Sequence, residues 1–151
     1  MKLNVGFLIN QQIGTFRDFN FDYPQLTIED DLIVSNLSGV ARLSRTPQGL
    51  LVHGSFDVGL ASTCVRCLAD FTQSLHAEFD ELYAFSPNQM TDSGLLVPED
   101  GKIDISMLLH DYLLVEVPIS PLCRQDCKGL CAVCGADLNQ ETCEHQLETV
   151  D

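Results

Sequence analysis

The sequence predicts an α+β fold: an antiparallel β-meander or partly closed barrel, one covering helix, and a C-terminal cysteine-rich zinc-binding tail. Three observations predict it. Residues 50–60 and 71–79 alternate apolar and polar side chains, residues 104–117 repeat at helical spacing, and residues 123–145 hold five of the seven cysteines. A period of two marks a strand with one buried face, and a period near 3.6 marks a helix.

Residues 1–25 read as one or two strands, and "DLIVSNLSGVARLS" as a further strand of the meander. "TPQG" at 46–49 supplies a turn, with Pro47 and Gly49 as breakers. Leu50, Val52, Phe56, Val58 and Leu60 then share one face, while His53, Ser55 and Asp57 point the other way. In the next strand Phe71, Leu75, Ala77 and Phe79 oppose Thr72, Ser74, His76 and Glu78. "SPNQMTDSGLLVPEDG" reads as a loop. In the helix that follows, Ile105, Leu108, Leu109, Tyr112 and Leu113 recur on one side, Asp104 is the expected N-cap, and Pro118 ends the pattern. His110 and Asp111 fall on the wetter side and are expected to be solvated. Residues 1–118 are thus assigned to the sheet and helix, and 119–151 to a tail packed on the same domain.

Composition narrows the function. Eight basic residues against 22 acidic ones give a net charge of -14, which repels nucleic-acid phosphates. Direct nucleic-acid binding by the chain alone is disfavoured, and an acidic face for a basic partner is a natural alternative to mere solubility. The start, "MKLNVGFLINQQIG", lacks a secretory pattern, and "MLLHDYLLVEVPI" is too short and too charged to span a bilayer. A cytoplasmic protein without membrane association is expected. Thiols stay reduced there, so clustered cysteines point to metal or redox chemistry, and an odd count leaves one cysteine outside any complete disulfide framework.

Cys64 and Cys67 lie in "TCVRCLAD", between the two clearest strands. Two residues between cysteines let a tight turn aim both sulfurs at one point and provide half of a tetrahedral zinc site. Cys131 and Cys134 form a second such knuckle, with Gly135 relieving the backbone, and Cys143 and His145 follow in "CEH". These last four make one self-contained set. Cys123 and Cys127 are left to join Cys64 and Cys67, so seven cysteines and one histidine serve two zinc ions. Two other partitions stay open: Cys127 in place of Cys143, or a single ion held by the two Cys-x-x-Cys pairs. Zinc suits such thiolate and imidazole sets better than an iron–sulfur cluster, although spacing alone does not exclude iron. Two loaded sites would take the net charge to about -17, since four thiolates around Zn²⁺ add -2 and three with a neutral imidazole add -1.

The run from "CVRCLADF" through "IDISMLLHDYLLVEVPISPLC" to "DCKGLCAVCGADLNQETCEH" resembles the YceD family, the large ribosomal RNA subunit accumulation proteins. The resemblance covers roughly residues 30–146, and "KGLCAVCGADLN" is its most specific part. Where the family ends in Cys-x-Cys, this chain has Cys143-Glu144-His145, which keeps a zinc-compatible donor. The resemblance implies a role in rRNA accumulation and ribosome biogenesis in bacteria and plastids. Some members keep the first cysteine pair and lack the tail knuckle, which favours joining Cys64 and Cys67 to the 123–127 region. A non-enzymatic factor acting through a ribosome-assembly protein or basic ribosomal protein is therefore expected. The alternative is a thiol-based redox or metal-responsive protein. A metallohydrolase is disfavoured, because no His-Glu-x-x-His pattern or paired carboxylates accompany the cysteines. Oligomeric state is not legible in the sequence.

Overall fold

The computed structural model describes residues 1–145. It divides into two compact units, Met1–Gly59 with Ser74–Glu116, and Leu60–Gln73 with Val117–Asp151. The hairpin tip at 64–69 thus belongs to the same unit as the cysteine-rich tail.

Along the chain, β1 (Lys2–Asn4) is followed by the single helical turn α1 (Gly6–Ile9) and by three long strands, β2 (Phe16–Ile28), β3 (Leu32–Arg45) and β4 (Gly49–Thr63). Then come β5 (Asp70–Ala84), β6 (Lys102–Asp104) and α2 (Ser106–Glu116). The larger sheet runs β2-β3-β4-β5 in chain order, a four-stranded meander that does not close into a barrel; β1 and β6 form a separate antiparallel pair. Residues 1–25, expected as strand alone, thus contain a helical turn between two strands.

Leu50, Val52, Phe56 and Val58 of β4 are buried, as are Leu75, Ala77 and Phe79 of β5, on the faces their alternation indicates. The β3–β4 turn closes through the Thr46 N–H to the Gly49 carbonyl at 2.9 Å, and the Gly49 N–H reaches Thr46 Oγ1 at 3.1 Å. Strand β3 is less regular. Its buried positions change from Leu32 and Val34 to Leu37, Ala41 and Leu43, and between them Asn36 adopts φ 48°. A left-handed residue shifts the pleat by one position, and asparagine tolerates that conformation.

A row of aromatic rings crosses the sheet onto α2. Ring centroids lie 5.6 Å apart for Phe21 and Phe56, 6.1 Å for Phe56 and Phe79, and 5.1 Å for Phe79 and Tyr112. Glycine makes room for it: a Cβ on Gly54 would sit 2.4 Å from the Phe79 ring. Ile105, Leu109 and Leu113, spaced by four, turn α2 onto this core. The helix starts later than expected. Asp104 ends β6, and its carboxylate accepts the Ser106 N–H at 2.9 Å while the Ile105 carbonyl accepts from Leu109 at 3.0 Å. Burial opposes ionisation of Asp104, yet the Ser106 N–H and the terminal amine outweigh it and hold the pKa at about 2. His110 is not simply solvated. Its side chain is 15 % exposed, and Nε2 lies 3.0 Å from Asp31 in the β2–β3 turn. No helix among the described residues is long and apolar enough to cross a membrane.

Candidate metal centres

The second unit is built from three short segments, each carrying cysteines. At the first knuckle, Thr63 Oγ1 donates to Asp70 at 2.9 Å and closes the neck of the β4–β5 hairpin. The Cys64 N–H then bonds the Ala69 carbonyl at 2.9 Å and the Leu68 N–H bonds the Cys64 carbonyl at 2.9 Å. The second knuckle repeats this pattern residue for residue. The Cys131 N–H bonds the Ala136 carbonyl at 2.8 Å and the Gly135 N–H bonds the Cys131 carbonyl at 2.9 Å, above an antiparallel bridge between Leu130 and Asp137. The fifth position of both turns is left-handed, at φ 60° for Leu68 and 75° for Gly135.

Backbone N–H groups, from the turn itself and at Cys64 also from Cys123, converge on the first sulfur of each pair, which favours thiolate. At Cys64 the N–H of Cys123 contributes most, followed by those of Cys67 and Arg66, and the pKa falls to about 6. At Cys131 the N–H groups of Cys134 and Val133 do the same, again giving about 6. The opposite holds for Cys123, which burial and the neighbouring sulfurs of Cys67, Cys127 and Cys64 push up to about 12. Burial likewise raises Cys143. Several thiolates cannot share so small a volume without a cation, and a divalent ion reverses that balance.

Segment 119–131 brings in the third cysteine pair. The Val65 N–H bonds the Pro121 carbonyl at 3.0 Å, the Leu130 N–H bonds the Arg66 carbonyl at 3.0 Å, and Arg66 Nη1 donates to the Cys127 carbonyl at 2.9 Å. Gly129, at φ 78°, lies so close to Arg66 that a Cβ there would stand 3.0 Å from the Arg66 carbonyl oxygen. Cys64 and Cys127 are consequently buried and Cys67 and Cys123 half-buried.

The donor atoms of Cys64, Cys67, Cys123 and Cys127 lie within 4.8 Å of one another, and those of Cys131, Cys134, Cys143 and His145 do likewise. These are the two sets reached by counting donors, with Cys127 in the first and Cys143 in the second. Cys64 and Cys127 sulfurs are 3.8 Å apart, and those of Cys67 and Cys123 3.7 Å. A tetrahedron with metal–sulfur bonds of about 2.3 Å has edges of about 3.8 Å, whereas a disulfide needs about 2.0 Å. All seven cysteines are free thiols, and both groups are able to hold a metal ion.

One residue of the centre is not a donor, and its only sequence signal is that it closes the stretch "KGLCAVCGADLN". Asn139 Nδ2 donates to Cys127 Sγ at 3.5 Å, and its Oδ1 accepts from the Lys128 N–H and from Arg124 Nη2, both at 2.8 Å. Asp137 orients it, accepting the Asn139 N–H at 3.0 Å and Nδ2 at 2.8 Å. Asn139 therefore ties the loop of the second knuckle to a sulfur of the first group.

The eight donors lie inside residues 52–151, the stretch matched by the family model described as large ribosomal RNA subunit accumulation protein YceD. The chain belongs to the YceD family. Its relatives include an uncharacterised protein of Mycobacterium tuberculosis, 33% identical over 115 residues that make up 73% of this chain and 55% of that protein. An uncharacterised protein of Mycobacterium leprae is 34% identical over 101 residues, covering 64% of this chain and 46% of the relative. A chloroplast protein of Arabidopsis thaliana, named large ribosomal RNA subunit accumulation protein YCED homolog 1, is 41% identical over 54 residues, covering 36% and 17%. This YceD-family chain spans about half the length of the mycobacterial relatives it matches. No solved structure matches it.

Proposed function

We propose that this chain is a non-enzymatic factor in large-subunit rRNA accumulation and ribosome assembly, cross-linked by two structural zinc ions and acting through a basic protein partner. The observation that carries the reading is the pair of four-donor groups inside the YceD-matched region. The family description and the name of the Arabidopsis relative support the process. Four thiol donors in one group, and three with an imidazole in the other, support zinc. Four protein donors complete a tetrahedral ion and leave no position for an activated water, which supports a structural role over catalysis. Seven unpaired thiols suit a reducing compartment such as the cytoplasm.

The choice of a protein partner rests on charge. At -14 the chain repels phosphates, and its arginines are already engaged within the fold. Arg42 forms a two-pronged ion pair with Asp18 at 2.7 and 2.8 Å, and its guanidinium lies 4.6 Å from the Phe16 ring centre. Arg17 lies over Phe7 and Arg45 over Phe85, while Arg66 and Arg124 bond Cys127 and Asn139.

In a strain lacking the protein, the ratio of large- to small-subunit rRNA should fall and be restored by the wild-type chain but not by Cys64→Ser/Cys127→Ser. An unchanged ratio rejects the reading. Elemental analysis of the purified chain should give two zinc ions and few reactive thiols. One zinc with freely reactive Cys123 and Cys127 would instead favour thiol redox chemistry.

A further inference from the structure

Helix α2 is apolar on more than the side that packs inward. Opposite the buried Ile105, Leu109 and Leu113, it exposes Met107, Leu114 and Val115, at 63%, 49% and 82%. These occupy positions i, i+7 and i+8 of one face, with Asp111 at i+4 between them. Glu116 is the last helical residue, and the final turn holds no basic side chain, so the negative end of the helix dipole is uncompensated. Asp111, Tyr112, Val115 and Glu116 line a shallow cleft, and the Tyr112 hydroxyl donates to Glu81 at 2.8 Å beside it. Three large aliphatic side chains left in water mark a face that gains by being covered. The carboxylates among them select the sign of what covers it.

We propose that the outer face of α2 docks a basic, amphipathic peptide segment of a protein partner. Apolar side chains of that segment would cover Met107, Leu114 and Val115, and a lysine or arginine would meet Asp111 and Glu116. The inference rests on the protein-partner reading and adds the surface and the chemistry of the partner. A second copy is a poorer occupant, because a symmetric pairing would bring the carboxylates of the two faces together.

The test titrates the full, metal-loaded chain with three labelled synthetic helical peptides of equal length. One carries a leucine stripe flanked by lysines, one the same stripe flanked by glutamates, and one lysines without the stripe. Only the first should bind measurably. Asp111→Lys and Val115→Asp should each weaken it by about tenfold or more, with both variants still folded by circular dichroism, because neither side chain is buried in the core. Equal binding of the lysine and glutamate peptides, or indifference to both substitutions, overturns the proposal. So does concentration-dependent dimerisation that Leu114→Glu abolishes, which would assign the face to a second copy. A doubly substituted chain that supports rRNA accumulation as well as wild type would overturn the docking surface and leave the assembly reading standing. Absence of any rRNA defect on removing the whole protein strikes that reading instead, and leaves the peptide result as it is.

Discussion

Leu68 and Gly135 hold the same left-handed place in two equivalent knuckles, but only one of them is glycine. A side chain in that conformation costs about 1–2 kcal/mol, because Cβ crowds the following carbonyl. Leu68 is also 64% exposed, so little burial offsets the strain. Leu68→Gly should therefore stabilise the metal-loaded protein by about 0.5–1 kcal/mol after allowing for glycine's greater freedom when unfolded, and Gly135→Leu should destabilise it by at least that much. Urea midpoints of both variants check this, and a destabilised Leu68→Gly would mean that the exposed leucine makes a contact of value. Asn139 poses a different question, since it touches a sulfur and not a metal. Partners that orient metal ligands are typically worth 10- to 100-fold in affinity. Asn139→Ala should weaken zinc at the group containing Cys127 by about that factor, read by chelator competition, and perturb the Cys131 group less. Equal weakening at both groups would make Asn139 a general fold residue.

At the scale of elements, legibility followed the range of the interaction. Strands β4 and β5 were readable because each buries one face along nearly its whole length, so the alternation is written in consecutive residues. The knuckles were readable for the same reason, as each turn is complete within six residues. The change of phase at Asn36 was not, because Leu32, Ile33 and Val34 are all apolar and leave open which face of the strand is buried before the adjacent polar pair Ser35 and Asn36. Nor was the role of His110, whose partner Asp31 lies 79 residues away. That contact joins α2 to the β2–β3 turn and has a pH signature. Asp111 and then Asp31 raise the His110 pKa above its ordinary value. A raised folded-state pKa contributes stability that is complete below the unfolded value of about 6.5 and is lost as pH rises through the folded one. Asp31→Asn should lower the His110 pKa and reduce the decline in stability between about pH 6 and 8. A proton NMR titration of the imidazole, with urea midpoints across that range, would detect it; an unmoved His110 pKa would show that Asp111 alone sets it.

For the whole molecule, the two units differ in what holds them together. The first buries Phe56, Leu37, Leu43, Leu50, Leu109 and Leu113 completely. Among the described residues of the second, the buried ones are Cys64, Cys127, Gly129 and Cys131, three of which belong to the donor groups. A segment with so little apolar surface to bury does not hold a fixed backbone by the hydrophobic effect, and metal bonds take that place in small domains. Spacing made the donors legible, but this division of labour required burial to be known. Metal removal should therefore act unequally. Chelation is expected to raise the reactive thiols to seven and abolish amide protection in residues 60–73 and 117–145, while β4 up to Gly59 and β5 from Ser74, with the rest of the sheet, keep theirs. Hydrogen exchange with a parallel thiol count tests this. Loss of protection throughout the sheet would show that the first unit does not stand on its own core, and retained protection around Cys64 and Cys127 would show that the knuckles hold without metal. The first expectation follows from a count of buried side chains, so either result bears directly on whether the ions are structural.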